Sequence, residues 1–138
     1  MSVIVTRENL DIVYSFLKKI DFSHKRILGI GTGSVFDLAK FVAKNTQSDL
    51  HLIPTALSVN SFATHRSSFF TKAAKRSEDT TIPSEVLFDV NIIKTAGILN
   101  ISGLIELAST ATAQRDWQRA IEVGRDINHP DIENRVEK

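Results

Sequence analysis

The chain has 138 residues, of which 42% are apolar and 24% charged, with a formal net charge of +1 and no cysteine. That length suits one domain with a sizeable core; the near-balanced charge gives no electrostatic case for nucleic acid or an anionic membrane, and the lack of cysteine excludes disulfides and thiolate metal sites. The start, MSVIVTRENL, has neither the basic head nor the apolar stretch of a signal peptide, and no run is long enough to span a bilayer, so a cytoplasmic protein without membrane insertion is expected.

In chain order, residues 7–20 place Leu10, Val13, Phe16, Leu17 and Ile20 at helical spacing, with Thr6 as N-cap. Residues 26–30 read as a buried strand. A helix follows, with Ser34 as its cap and Asp37 three residues on as a capping-box variant, turning Val35, Leu38, Ala39 and Val42 inward. Residues 50–53 form a second strand, stopped by Pro54. Helix, strand, helix, strand implies parallel pairing in a doubly wound sheet. Residues 67–71 and 85–90 look extended, and the charged stretch between them reads as the loop of a β-hairpin. From Asn91 the pattern turns helical, with a long helix expected over 103–124 and an apolar stripe of Leu104, Leu107, Ala108, Ala111 and Trp117. The tail from Asn128 is polar and irregular. The change of pattern places a boundary near residue 90, giving an α/β part over 1–90 and the start of an all-helical domain over 91–138, too short to stand as an ordinary domain.

Three clusters carry chemistry. GIGTGSVFDLAK, residues 29–40, sets a glycine-rich turn between strand and helix, which exposes backbone N–H groups at the positive end of a helix dipole and suits a phosphate or pyrophosphate. A tight connection needs glycine on backbone grounds alone, and the third glycine of G-x-G-x-x-G is absent, so the spacing leaves both readings open. PTALSVNSFATHRSS, residues 54–68, gathers Thr55, Ser58, Asn60, Ser61, Thr64 and Ser67 just after a strand, where open α/β sheets bind ligands; a solvated loop has the same composition. In GLIELASTATAQRDW, residues 103–117, Glu106 can serve as one hard oxygen ligand to a divalent metal, or as a solvent-facing acid near a helix start. Asp116 and Trp117 fit helix packing better than chemistry. His24, His51, His65 and His129 show no metal-ligand spacing, and only His65 adjoins the polar loop.

Together these clusters resemble the iron-containing (metal-dependent) alcohol dehydrogenase superfamily, in particular its glycerol-1-phosphate dehydrogenase branch. Residues 31–37 with Lys40 resemble the family's GGGSxxDxxK pyrophosphate loop, Thr32 replacing the middle glycine; Pro54 to Ser58 resembles PTxxS; PSEVLFDVNII resembles a stretch that follows the family's hairpin; and the third cluster resembles a segment ending in TAxxDW. The resemblance implies a partial Rossmann-like α/β fold, lacking the family's opening strand–helix–strand unit and its downstream histidine ligands, about a third to a half of the usual protein. It implies NAD or NADP bound by Gly31, Thr32, Gly33, Ser34 and Asp37, with Thr55, Ser58 and Thr64 also on the cofactor. Asn60 and Glu106 would face the substrate, a small polyol or polyol phosphate, and Glu106 would hold zinc, iron or nickel. Asn60 stands where that branch has an aspartate, keeping its size but losing its charge. No residue is assigned as catalytic, turnover by this chain alone is not expected, and a homo-oligomer is compatible with the resemblance. A synthase-type lyase like 3-dehydroquinate synthase and a non-catalytic nucleotide-binding remnant are the competing readings.

Overall fold

The computed structural model describes residues 18, 26–70 and 74–127. The helix expected over 7–20 with Thr6 as cap, and the tail from Asn128, lie outside the described residues. The chain divides into two compact units, Met1–Leu104 and Ile105–Lys138.

The first unit is built on a parallel sheet. Strand β1 (Arg26–Gly31) pairs in parallel with β2 (Asp49–Pro54), from Arg26 opposite Asp49 to Gly31 opposite Pro54. Between them runs helix α1 (Gly33–Thr46). Its C-terminus closes on Gln47 in the left-handed conformation (φ 50°), and the Ser48 N–H donates to Ala43 O at 3.0 Å. One face of α1 buries Phe36, Ala39 and Ala43 against Leu50 and Leu52 of β2. Full burial of a Leu or Phe side chain contributes about 1.5–3 kcal/mol, so this seam fixes the helix on the sheet. On the opposite face of the sheet, Leu28 and Ile30 remain more than half exposed.

The two extended segments on either side of the charged stretch do not pair with each other. The hairpin is β3 (Arg66–Phe70) with β4 (Lys75–Asp79), antiparallel, Ser68 opposite Ser77. Glu85–Val86, expected as the returning strand of the hairpin, is β5 and adds in parallel to β2, with His51 opposite Glu85. The sheet order is therefore β1–β2–β5. The charged stretch supplies the second hairpin strand because that strand needs little apolar content: it is almost wholly exposed, while β3 turns Ser67 and Phe69 inward. Phe69 is fully buried and meets Phe41 of α1 edge to face at 5.1 Å, so the helix has the sheet on one side and the hairpin on another.

Helix α2 (Val90–Thr95) is capped by Asp89, whose carboxylate accepts from the N–H groups of Asn91 at 2.8 Å and Ile92 at 3.3 Å. Helix α3 (Leu99–Glu122) begins four residues before the expected start at 103. Its expected apolar stripe is not an inward face: none of its residues is buried, and Leu104 and Leu107 are each 66% exposed. Among the described residues no helix is long and apolar enough to cross a membrane.

Candidate functional site

The two turns singled out in the sequence leave adjacent parallel strands at their C-terminal ends. Gly31 ends β1 and lies opposite Pro54, which ends β2; the next residue, Thr55, donates its N–H to Gly31 O at 2.8 Å. Gly31 has φ +153°, a conformation L side chains rarely adopt, and a Cβ there would lie 2.7 Å from Val35 Cγ2. That backbone conformation turns the chain directly into α1, so the helix starts at Gly33 with Thr32 as N-cap. Ser34 is thus already helical, which corrects its assignment as the cap.

Thr32 makes no side-chain capping bond, and the first turn of α1 holds no acid. The first backbone bond of the helix runs from Phe36 N–H to Thr32 O, at 3.0 Å. The amides of Gly33, Ser34 and Val35 therefore precede the helical ladder and face outward with the positive end of the dipole, an arrangement that accepts an anion. Val59 closes over this start: a Cβ on Gly33 would come within 2.9 Å of its Cγ2. Among the described residues the hydroxyls of Thr32, Ser34, Thr55 and Ser58 have no internal partner. Amides and free hydroxyls on two neighbouring turns form a donor set that fits a diphosphate.

Asp37 sits one turn further along, and both its carboxylate oxygens are engaged elsewhere. Oδ1 accepts from Ser61 Oγ at 2.8 Å and Oδ2 from Ser68 N–H at 3.1 Å. Beside it, 3.4 Å from Oδ1, is the Lys40 ammonium. Lys40 is fully buried and donates to three backbone carbonyls: Ser61 at 2.9 Å, Thr64 at 3.3 Å and Arg66 at 2.5 Å. Burial pulls the Lys40 pKa below the ordinary lysine range, and the neighbouring Asp37 charge opposes the fall. The pair thus works as a latch from α1 onto the segment that joins β2 to β3. On that segment Asn60 is exposed and caps a 3-10 turn (Ser61–Ala63), with the Ala63 N–H donating to Asn60 O at 2.8 Å. Thr64 holds its hydroxyl on Arg66 O at 3.2 Å.

Spacing grouped Ser61 with the polar residues after β2 and placed Lys40 at the end of the glycine-turn cluster, but it gave neither of them, nor Ser68, this latching role. The available signal was a lysine between Ala39 and Phe41, in the middle of a helix stretch that is otherwise apolar.

Glu106 belongs to the second unit, where it is half-buried on α3. Among the described residues no three His, Asp or Glu side chains gather to hold a metal ion. One carboxylate is not a divalent-cation centre, which takes several donors, so the residues described do not fit a complete metal site.

A second polar cluster lies along the sheet. His51 bridges two acids, Nδ1 to Glu85 Oε2 at 2.9 Å and Nε2 to Asp49 Oδ2 at 2.8 Å, tying β2 to β5. The Asp49 and Glu85 hydrogen bonds raise the His51 pKa. The bonds from Ser84 and His51 lower that of Asp49.

The iron-containing alcohol dehydrogenase family model matches residues 2–97, which takes in the glycine turn, the polar segment and the hairpin. The chain belongs to that family. It is 36% identical over 104 residues to the glycerol-1-phosphate dehydrogenase (NAD(P)+) of Archaeoglobus fulgidus, covering 74% of this chain and 30% of that protein. With the enzyme of the same name from Methanothermobacter thermautotrophicus it shares 37% over 97 residues, covering 68% and 27%. Among solved structures it resembles the maleylacetate reductase of Rhizobium sp. strain MTP-10005 (TM-score 0.62, 20% identity, 75% of this chain and 31% of that one). It also resembles a probable glycerol dehydrogenase from Sinorhizobium meliloti 1021 (TM-score 0.59, 20% identity, 65% and 27%). These likenesses establish the family fold, an α/β architecture with a parallel sheet, a hairpin and helices. The chain spans less than a third of the length of these relatives.

Proposed function

We propose that this chain supplies the pyrophosphate-binding part of an NAD(P)-dependent dehydrogenase acting in the cytoplasm on polyols or polyol phosphates, with glycerol 1-phosphate as the leading candidate. One observation carries the reading: the glycine turn and the Pro54 turn are joined at the carboxyl edge of the sheet by the Thr55 N–H to Gly31 O bond. The names of the relatives supply the direction of the chemistry, since two of them are glycerol-1-phosphate dehydrogenases using NAD(P)+.

In this reading the amides of residues 33–35, with Gly31, Thr32, Gly33 and Ser34 forming the turn, bind the diphosphate. Thr55, Ser58 and Thr64 contact the cofactor from the second segment. Asp37 and Lys40 act through that segment by fixing its path, and Asn60 faces the substrate. The bound dinucleotide supplies a nicotinamide that accepts hydride from the alcohol carbon. Glu106 marks the metal side, at the helical part we place from residue 91 onward. One carboxylate is too few donors for a centre, so the isolated chain is expected to bind the cofactor without turning over.

NADH fluorescence titration of the full chain tests this. The expected result is saturable binding that weakens by at least about tenfold in Ser34→Asp, because the added carboxylate takes the place of the phosphate. An acid in the first turn favours the helix itself, so the variant should stay folded. Equal binding by both proteins, or none by the unmodified chain, overturns the proposal.

A further inference from the structure

The turn after β2 has its own anchor on a distant part of the chain. Leu57, at residue three of the segment that follows Pro54, donates its N–H to Asn100 Oδ1 at 2.9 Å. The other end of the same carboxamide, Nδ2, donates to Ile93 O at 2.8 Å, in the last turn of α2. An amide group with acceptor and donor both engaged has one orientation, since a flip would face oxygen to carbonyl and nitrogen to N–H. Asn100 therefore joins the Thr55-to-Ser58 turn to the end of α2.

Three residues along α3, on the same helix face, Gly103 receives the carbonyl of Leu57, in the next peptide group. A Cβ at Gly103 would lie 1.9 Å from Leu57 O and 3.0 Å from Leu57 C. No side chain fits there without moving the turn. The backbone of Leu57 is held at its N–H by Asn100, and its carbonyl is seated on the bare backbone at Gly103.

We propose that Asn100 and Gly103 form a seat that sets the position of residues 55–58, and that Asn100 is a positioning residue for cofactor affinity. The affinity part rests on the cofactor reading above. Asn100 touches neither the glycine turn nor the hydroxyls of Thr55 and Ser58; it acts on them through the backbone of Leu57. A misplaced turn weakens every contact those hydroxyls make.

The test compares the full chain with Asn100→Ala, Asn100→Asp and Gly103→Ala by NADH titration and by NMR hydrogen exchange of the Leu57 amide. One net hydrogen bond is a factor of up to about ten in an equilibrium. Asn100→Ala is expected to speed Leu57 exchange and weaken NADH binding, each by about that factor. Asn100→Asp keeps the acceptor for Leu57 but sets a carboxylate oxygen against Ile93 O, so it should bring Leu57 exchange only part of the way back. A general loss of structure would not be rescued in this way. If Asn100→Ala does not fold, Gly103→Ala carries the test, with weaker NADH binding expected as the added methyl pushes Leu57 aside. Unchanged Leu57 exchange in Asn100→Ala overturns the proposal, and faster exchange with unchanged affinity overturns its cofactor part. If the unmodified chain binds no NADH, the cofactor reading falls, and Leu57 exchange in Asn100→Ala then decides the seat by itself: faster supports it, unchanged overturns it.

Discussion

Replacing Lys40 with Met, which keeps most of the side-chain volume, should destabilise the chain by about 3 kcal/mol. The ammonium is fully buried and donates to the carbonyls of Ser61, Thr64 and Arg66, with Asp37 at 3.4 Å. Hydrogen bonds to a charged group contribute about 1.5–3 kcal/mol each, so three of them gather roughly 5–9 kcal/mol. Against this stands the cost of burying an ammonium, several kcal/mol in folded proteins, the same effect that lowers the Lys40 pKa. The carboxylate of Asp37, 13% exposed, also loses its cation. Removing one member of a buried pair costs about 3–5 kcal/mol where the other is left behind, which agrees with the difference. Urea denaturation followed by circular dichroism at 222 nm measures it. At about 4 °C per kcal/mol for a chain of this size, the melting temperature should fall by roughly 12 °C. Adding Asp37→Asn should recover part of the loss, since it removes the carboxylate left unpaired. A Lys40→Met chain within about 1 kcal/mol of the unmodified one would refute the latch, because three charge-assisted bonds cannot vanish so cheaply.

Phe69→Ala removes the fully buried ring that faces Phe41 and should cost about 3–5 kcal/mol by the same denaturation, with the hairpin amides exchanging faster than those of β1 and β2; a loss under about 1 kcal/mol would mean the hairpin does not pack on α1. The His51 bridge predicts a pH dependence whose sign follows from its shift. His51 has a raised pKa in the folded chain, so its contribution is complete below the unfolded value of about 6.5 and fades as pH rises through the higher folded value. Asp49 has a lowered pKa, so its contribution holds above about 3.9 and fades as pH falls through the lower folded value. The urea midpoint should therefore drop as pH rises above about 6.5 in the unmodified chain, and that limb should flatten in His51→Gln; parallel profiles for the two proteins would contradict the bridge.

The parallel core was legible because β1 and β2 are short apolar runs closed by Gly31 and Pro54, and α1 carries its apolar residues at helical spacing. Both signals survive in sequence because one face of each element is buried. The hairpin was half legible. β3 shows buried Ser67 and Phe69, but KRSED in β4 has no dry face, and alternation exists only where one side of a strand is covered. β5 was read as extended and assigned the wrong neighbour. Two residues pairing with β2 leave no local trace of which strand they join. The stripe on α3 lies on a helix, as its spacing implies, but is not covered. Periodicity reports a face that could be buried, and in this chain Leu104 and Leu107 are not.

The motif at residues 31–40 looks in sequence like one phosphate loop, and in three dimensions it divides into two parts. A helix rises about 1.5 Å per residue, so Asp37 lies roughly 6 Å beyond Gly33, outside the first turn whose free amides attract an anion. Residues 37 and 40 are three apart and share a face, and that face meets the segment joining β2 to β3. A carboxylate at the anion-binding turn would oppose a diphosphate; one turn later it holds Ser61 and Ser68 instead, with Lys40 neutralising it. Spacing along the chain carries the presence of both groups but not the division between them, since which face a helical residue turns to which neighbour depends on where the loop from β2 returns. That return is fixed by contacts 21 to 31 residues away, Lys40 to Ser61 and Asp37 to Ser68, which no local pattern contains.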